Sequence, residues 1–273
     1  MAHLVALDID GTTITHTGEL REPVRLAIRD TVQAGHHVVI ATGRSIVATT
    51  PILNALDLTH GWAVCSNGAV TLALDPATEG GYRIHDAVTF DPGPALELIR
   101  HGLPEAIVAV EELGVGFRVN RPYPDGELMG EQTPTGWEEL MSRPTTRVTV
   151  RDPEASSEDF IHRVEQLGLH GVNYNVGYTA WLDIAPEGVS KGSALELVRR
   201  TLRVEPDHTV AVGDQRNDLE MLHWAARGVA MGNAPDVVKD IANEVTGSID
   251  EDGLEPILRS LPGMRARTSA PLG

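Results

Sequence analysis

Three times in this chain an apolar run stops at a short polar motif, and the motifs come in a fixed order. Leu4-Val5-Ala6-Leu7 ends at Asp8-Ile9-Asp10-Gly11-Thr12, Val38-Val39-Ile40 leads to Ala41-Thr42-Gly43-Arg44, and Thr209-Val210-Ala211-Val212 meets Gly213-Asp214-Gln215-Arg216-Asn217-Asp218. Between the second and the last, Lys191 follows Ser190 at the start of a helical pattern that continues to about Leu202. Short continuous apolar runs of this kind read as strands buried on both faces of a parallel sheet. A polar residue at the carboxyl end of such a strand sits where open α/β sheets keep their active sites. The pattern predicts an α/β fold, a doubly wound parallel sheet that gathers four carboxylates, a lysine and several small residues toward one edge.

The residue types suit the movement of a phosphoryl group. Two carboxylates two residues apart, Asp8 and Asp10, can divide the work of nucleophile and proton carrier. Their crowded negative charge suits a hard divalent cation, and magnesium commonly takes one or two carboxylates with phosphate oxygen and water. Gly11 lets the backbone turn sharply, and Thr12 and Thr13 add uncharged hydroxyls. Thr42-Gly43 presents a hydroxyl, an unhindered N–H and the positive end of a helix expected from about Ser45 to Leu56, which together suit phosphate. Lys191 in a first helical turn opposes the macrodipole, which is mildly unfavourable unless an anion is near. Asp214 and Asp218, a strand end and the helix after it, read as one direct metal ligand and one supporting acid.

Each motif alone has a plainer structural reading. Asp8 to Asp10 could be an acidic turn, Gly43 a tight-turn residue, Arg44 and Lys191 solvated side chains, and Asp218 a favourable first-turn acid. At Asn67-Gly68, which follows Trp62-Ala63-Val64-Cys65-Ser66, a hairpin turn into Val70-Thr71-Leu72 is the favoured reading.

Taken together and in this order, the motifs resemble those of haloacid dehalogenase superfamily phosphatases. Within that superfamily the chain is similar to the Cof-like branch, whose members carry a large α/β cap between the second and third motifs. The resemblance extends to about Leu261. It implies Asp8 as nucleophile and first metal ligand, and Asp10 as general acid/base that also lends its backbone carbonyl to a Mg2+ ion. It further implies Thr42, Gly43, Lys191 and Asn217 as phosphate binders, with Arg44 as a further candidate, Asp214 as metal ligand and Asp218 as support for the metal site. One departure is Gln215-Arg216, where many Cof-like members have a glycine after the Asp.

Composition narrows the alternatives. A chain of 273 residues, 41% hydrophobic, has material for one large or two ordinary domains. Its formal net charge of −17 argues against nucleic acid or an anionic membrane as partner. Phosphate substrates remain compatible, because a bound cation and a lysine set the local potential while remote acids are screened over about 10 Å. Neither a signal-peptide pattern nor a membrane-spanning run is present, and the single Cys65 excludes an internal disulfide and reads as a small buried residue. The expectation is a cytoplasmic monomer or homodimer.

Strand and helix patterns divide the chain into a core of residues 1–81 and 187–262, a cap of residues 82–186 and a disordered tail at 263–273. The cap pattern offers helices near Pro94–His101 and Glu158–Leu167, with strands near Ile107–Val110, Val115–Val119, Arg147–Val150, Val172–Val176 and Trp181–Ile184. Arg121 to Gly136 reads as a long loop, and Gly80-Gly81 and Pro186-Glu187-Gly188 as hinges. Arg118, Asn120, Arg121, Tyr123 and Tyr178 are the cap candidates for substrate contact. The expected function is magnesium-dependent hydrolysis of a small phosphorylated metabolite through an aspartyl-phosphate on Asp8. The alternatives are a phosphosugar mutase of the same superfamily and a non-catalytic phospho-ligand sensor.

Overall fold

The computed structural model of the chain describes residues 1–176 and 180–264. Tyr178 and the tail beyond residue 264 lie outside the described residues. In chain order the strands are β1 (Leu4–Leu7), β2 (His37–Ala41), β3 (Gly61–Cys65), β4 (Val70–Leu74) and β5 (Tyr82–Ala87). Next come β6 (Ile107–Glu112), β7 (Gly116–Val119), β8 (Glu131–Pro134), β9 (Val148–Arg151), β10 (Val172–Val176) and β11 (Trp181–Pro186). The last three are β12 (Thr209–Gly213), β13 (Arg227–Ala230) and β14 (Glu244–Val245).

These strands form two sheets. The core sheet has the order β14-β13-β12-β1-β2-β3-β4-β5. From β14 to β3 every neighbour is parallel, and β4 and β5 extend the edge as antiparallel strands. The apolar runs are buried on both faces as their composition requires. In β1, Val5 and Leu7 pack with Val24, Ile28, Leu254 and Leu258, while Leu4 and Ala6 pack on the opposite face with Leu195, Val198, Met221 and Leu222. Helices Glu22–Gln33 and Leu254–Arg259 thus cover one face, and helices Lys191–Leu202 and Leu219–Trp224 the other.

Register then places the motifs. Leu7 pairs with Ile40 on one side and with Val212 on the other, so Asp8, Thr42 and Asp214 all emerge at the same carboxyl edge. Asp8 N–H still donates to the Val212 carbonyl at 3.1 Å, which fixes its position against the neighbouring strand.

The second sheet, β10-β11-β9-β6-β7-β8, is the cap. Helices Gly93–Gly102 and Ser157–Gln166 cover one of its faces through Leu96, Ile99, Phe160 and Val164. Ile107, Ala109, Phe117, Val119 and Tyr123 form a smaller apolar cluster on the other, with Trp181 against it.

The structure departs from the sequence expectation in three places. Strand β5 pairs with β4 in the core sheet, so the core runs on to Ala87 instead of ending at residue 81. Gly80 and Gly81 accordingly sit in the turn between two core strands, and the chain crosses to the cap between Ala87 and the helix at Gly93. The expected loop of residues 121–136 contains β8, which adds to β7 in parallel through the pairs Gly116–Glu131 and Val119–Pro134. Its sequence Glu131-Gln132-Thr133-Pro134 has no apolar alternation because it is an edge strand with one partner, and its residues are half-buried or exposed. The return crossing runs through Glu187–Ser190, with Gly188 at φ +73°.

Core and cap also touch through a buried carboxylate. Glu111, at the end of β6 in the cap, accepts from the Ser66 hydroxyl of the core at 2.7 Å and from the Thr146 hydroxyl of the cap at 2.9 Å. Burial pushes the Glu111 carboxyl above its ordinary range, tempered by Arg147 and by the two hydroxyls. Among the described residues no helix is long and apolar enough to cross a membrane.

Candidate active site

Lys191 is the pivot of the site. Ser190 caps its helix in a reciprocal arrangement with Ser193, and the first turn points the lysine inward, where it is fully buried. Nζ donates to Asp8 Oδ1 and to Asp218 Oδ1, each at 2.6 Å. The anion that a cation in a first turn requires is therefore supplied by the protein. Burial alone would lower the lysine, but Asp218 and Asp8 outweigh it and hold it charged, above its ordinary range. Asp8 itself is pushed up by burial, with Lys191 acting in the opposite direction.

Asp218 is a brace. Its Oδ2 accepts from the backbone N–H groups of Asp214 and Gln215, both at 2.9 Å, while Oδ1 faces Lys191. The same carboxylate closes the turn and holds the lysine. Gly213 makes this approach possible, since a Cβ there would meet Asp218 Cγ at 2.6 Å.

Asp214 is ringed by donors. Thr12 Oγ1, Gln215 Nε2 and Asn233 Nδ2 all reach its carboxylate at 3.1 Å, and Asn233 also binds the Gly11 carbonyl at 3.0 Å. Gln215, the departure from the Cof-like pattern, thus supplies a side-chain donor of its own. Burial and Asp218 raise the Asp214 carboxyl to about 6. Gly11, at φ +79°, is tightly packed: a Cβ there would collide with the Asp214 carboxylate.

One carboxylate oxygen from each of Asp8, Asp214 and Asp218 falls within 4.8 Å of the others, all buried. Three hard oxygen donors with a single lysine to balance them make a set that a divalent cation would complete. Asp10 is outside this cluster. Its side chain, half exposed, is gripped by Arg44, whose Nε and one terminal nitrogen bind the two carboxylate oxygens at 2.8 and 2.6 Å. Arg44 is thus a partner of Asp10 and not a solvated side chain.

Around these acids the second motif forms a tight loop. Thr42 Oγ1 accepts from the Arg44 N–H at 3.1 Å, and Ser45 caps the helix Ile46–Ala55. Asn217 Nδ2 donates to Asn67 Oδ1 at 2.9 Å, and a Cβ on Gly43 would lie 3.0 Å from that same Asn67 oxygen. For Asn67-Gly68 the sequence favours a hairpin turn over a second junction of the Thr42-Gly43 kind. The hairpin is there, since β3 and β4 pair antiparallel, yet Asn67 is buried and joins motifs two and four. Ser66 and Asn67 take the left-handed backbone, at φ +50° and +54°, that tight hairpin turns use.

A cavity of about 340 Å³ opens above Asp8, Asp10, Thr42, Gly43 and Asn217. The cap closes it with Phe117, Leu128, Met129, Arg147, Trp181 and Asp183. Arg118, Asn120, Arg121 and Tyr123, the four cap candidates among the described residues, are not among its walls. Arg118 is buried against Glu112 and the Glu139 carbonyl, and Arg121 binds the Glu105 carbonyl. Asn120 ties down the backbone of Val108 and Ala106, and the Tyr123 hydroxyl donates to the Thr149 carbonyl at 2.9 Å. Those four are structural; Tyr178 is not described. Arg147 and Asp183 were missed because each sits in a strand run that reads as core, and only the strand order of the cap makes them neighbours.

Comparison with known proteins agrees with this fold. Residues 5–89 and 130–258 match the family model of haloacid dehalogenase-like hydrolases. The pyridoxal phosphate phosphatase YbhA of Escherichia coli K12 is 32% identical over 275 residues, covering 94% of this chain and 97% of that protein. The 5-amino-6-(5-phospho-D-ribitylamino)uracil phosphatase YitU of Bacillus subtilis 168 is 29% identical, covering 94% and 96%. A solved phosphatase structure of the same superfamily, from Bacteroides thetaiotaomicron, superposes with a TM-score of 0.77 at 26% identity, covering 95% of this chain and 94% of that one.

Proposed function

The chain belongs to the haloacid dehalogenase-like hydrolase family and is a phosphoric monoester hydrolase, and from that premise we propose that Asp8 carries the phosphoryl group as an aspartyl-phosphate in a magnesium-dependent reaction. The observation that carries the reading is the convergence of Asp8, Asp214, Asp218 and Lys191 at the carboxyl edge of the core sheet, below a cavity that also takes in Asp10.

In the first half-reaction an Asp8 carboxylate oxygen attacks phosphorus, the bond from phosphorus to the alcohol oxygen breaks, and Asp10 gives its proton to the departing oxygen. In the second, Asp10 takes a proton from water as the water oxygen attacks phosphorus, and the bond to Asp8 breaks to release inorganic phosphate. Lys191 stabilises negative charge beside Asp8 throughout, and Thr42, the Gly43 N–H and Asn217 supply neutral donors to the phosphoryl oxygens. Asp8, Asp214 and the Asp10 carbonyl would hold Mg2+, which when bound neutralises the carboxylates and the phosphoryl oxygens. Arg44 must yield its grip when Asp10 turns to the leaving group. The substrate is a small phosphate ester. The named relatives act on pyridoxal phosphate and on a phosphoribityl uracil, so these two esters head the panel to be tried.

The test is trapping. Rapid-quench with radiolabelled ester and Mg2+ should yield acid-stable, base-labile phosphoenzyme in the native chain, none in Asp8→Asn and none in excess chelator. Phosphoenzyme in Asp8→Asn at the native level would overturn the assignment.

A further inference from the structure

The cap wall carries a charge pair that the chemistry of phosphoryl transfer does not use. Arg147 is only 6% exposed and yet lines the cavity. Its Nε donates to Asp183 Oδ1 at 2.9 Å, and a terminal nitrogen lies 2.9 Å from the same oxygen. Neither side chain makes a further side-chain hydrogen bond among the described residues, so a guanidinium edge and the Asp183 Oδ2 remain open beside one another. Both line the cavity, so side by side they offer a recognition surface for a ligand with an acceptor next to a donor.

The rest of the wall defines what else that ligand must be. Trp181, two residues before Asp183 on β11, also lines the cavity, and Tyr123 holds it edge-on with ring centroids 5.6 Å apart. Phe117 and Leu128 add apolar surface. An aromatic wall of this kind favours a flat ring. Charge points the same way. On the cap wall Arg147 is already matched by Asp183, and Glu127 on the same wall is paired outside it with Arg151. A second anionic group placed beside Trp181 would face Asp183 Oδ2.

We propose that the alcohol part of the substrate bears an uncharged heterocycle whose carbonyl accepts from Arg147 and whose neighbouring N–H donates to Asp183, with the ring against Trp181. This rests on the phosphatase reading of the same cavity and adds the identity of the leaving group. Arg147, Asp183 and Trp181 are its specificity residues.

The test compares kcat/KM of the full chain with Mg2+ for uridine 5′-monophosphate, its N3-methyl derivative, ribose 5-phosphate, 3-phosphoglycerate and p-nitrophenyl phosphate. Uridine 5′-monophosphate should exceed ribose 5-phosphate and 3-phosphoglycerate by about tenfold or more, and N3-methylation, which replaces the donor hydrogen with a methyl group, should remove about tenfold. In Asp183→Asn, a change of one atom, the N3-methyl penalty should vanish, and Trp181→Leu should lower the ratio of uridine 5′-monophosphate to ribose 5-phosphate. A native preference for ribose 5-phosphate or 3-phosphoglycerate, or indifference to N3-methylation, overturns the inference while the phosphatase reading stands. No turnover of any ester, p-nitrophenyl phosphate included, overturns the reading itself and the inference with it.

Discussion

Lys191 shows how much one residue can carry. It is fully buried between Asp8 and Asp218, so its removal leaves two carboxylates in a low-dielectric site without their counter-charge. Lys191→Met should cost about 3–5 kcal/mol in chemical denaturation, far more than deleting a surface lysine, and should abolish turnover as well. A loss within the range of surface substitutions would show that the pair is not formed in solution. Asp10 makes a different kind of prediction because it lies outside the acidic cluster. Asp10→Asn removes proton transfer, worth typically about 10² to 10⁴ in rate, so alkyl esters should suffer most in the formation of phosphoenzyme. An ester of p-nitrophenol, which leaves without a proton, should form it nearly normally while its hydrolysis slows. Equal impairment of both esters in the first step would remove Asp10 from the role of acid. At this scale the sequence was readily legible: Asp8, Asp10, Thr42, Lys191, Asp214 and Asp218 meet at one sheet edge because each is fixed by a strand end or a first helical turn. The cap candidates were misplaced because Arg118 and Arg121 owe their positions to backbone carbonyls that no local pattern announces.

Between residue and molecule stand the turns that aim the elements at one another. Gly68, at φ +101°, has its Cα against the Ser190 carbonyl, and any Cβ there would collide with that group. The turn after β3 and the start of the lysine-bearing helix are therefore built around one missing side chain. Gly68→Ala should destabilise the protein by more than the ~1–3 kcal/mol of a strained backbone alone, and should shift the Lys191 helix enough to depress kcat at saturating substrate. Native kcat with native stability would mean that the two segments are free to separate. Strand β8 marks the limit of what a pattern can show at this scale. Glu131-Gln132-Thr133-Pro134 pairs on one side only, so it buries little and carries neither alternation nor an apolar run, and only its hydrogen bonds to β7 reveal it. The hairpin at Asn67-Gly68, by contrast, was legible, and what escaped was its second task of joining Gly43 to Asn217.

For the molecule as a whole, the relation of cap to core rests in part on Glu111, which reaches across to the Ser66 hydroxyl. Its carboxyl sits above the usual value of 4.5 because it is buried, so the folded protein keeps a proton that the unfolded chain has already released. That contribution to stability is present below the unfolded value and is lost as pH rises through the folded one. Thermal midpoints of the native chain should therefore fall across this window relative to those of Glu111→Gln, which does not titrate; parallel curves between about pH 4 and 8 would exclude the linkage. The division into core and cap was visible in the motif order, while its boundary at Ala87 was not, because Gly80-Gly81 has the composition of a linker and β5 the composition of an exposed edge. The core sheet also has a history written into its strand order. Its middle strand, β1, is flanked by β2 and by β12, and the pair Thr12 and Asp214 that meets there is separated by 202 residues of chain. During synthesis on the ribosome the first strands emerge early but wait, one edge unpaired, until the whole cap and the helix behind it have been translated. The cap, contiguous in sequence, can fold during that delay. The nascent core cannot, and its open edge is the surface a chaperone would have to guard until the last third of the chain arrives.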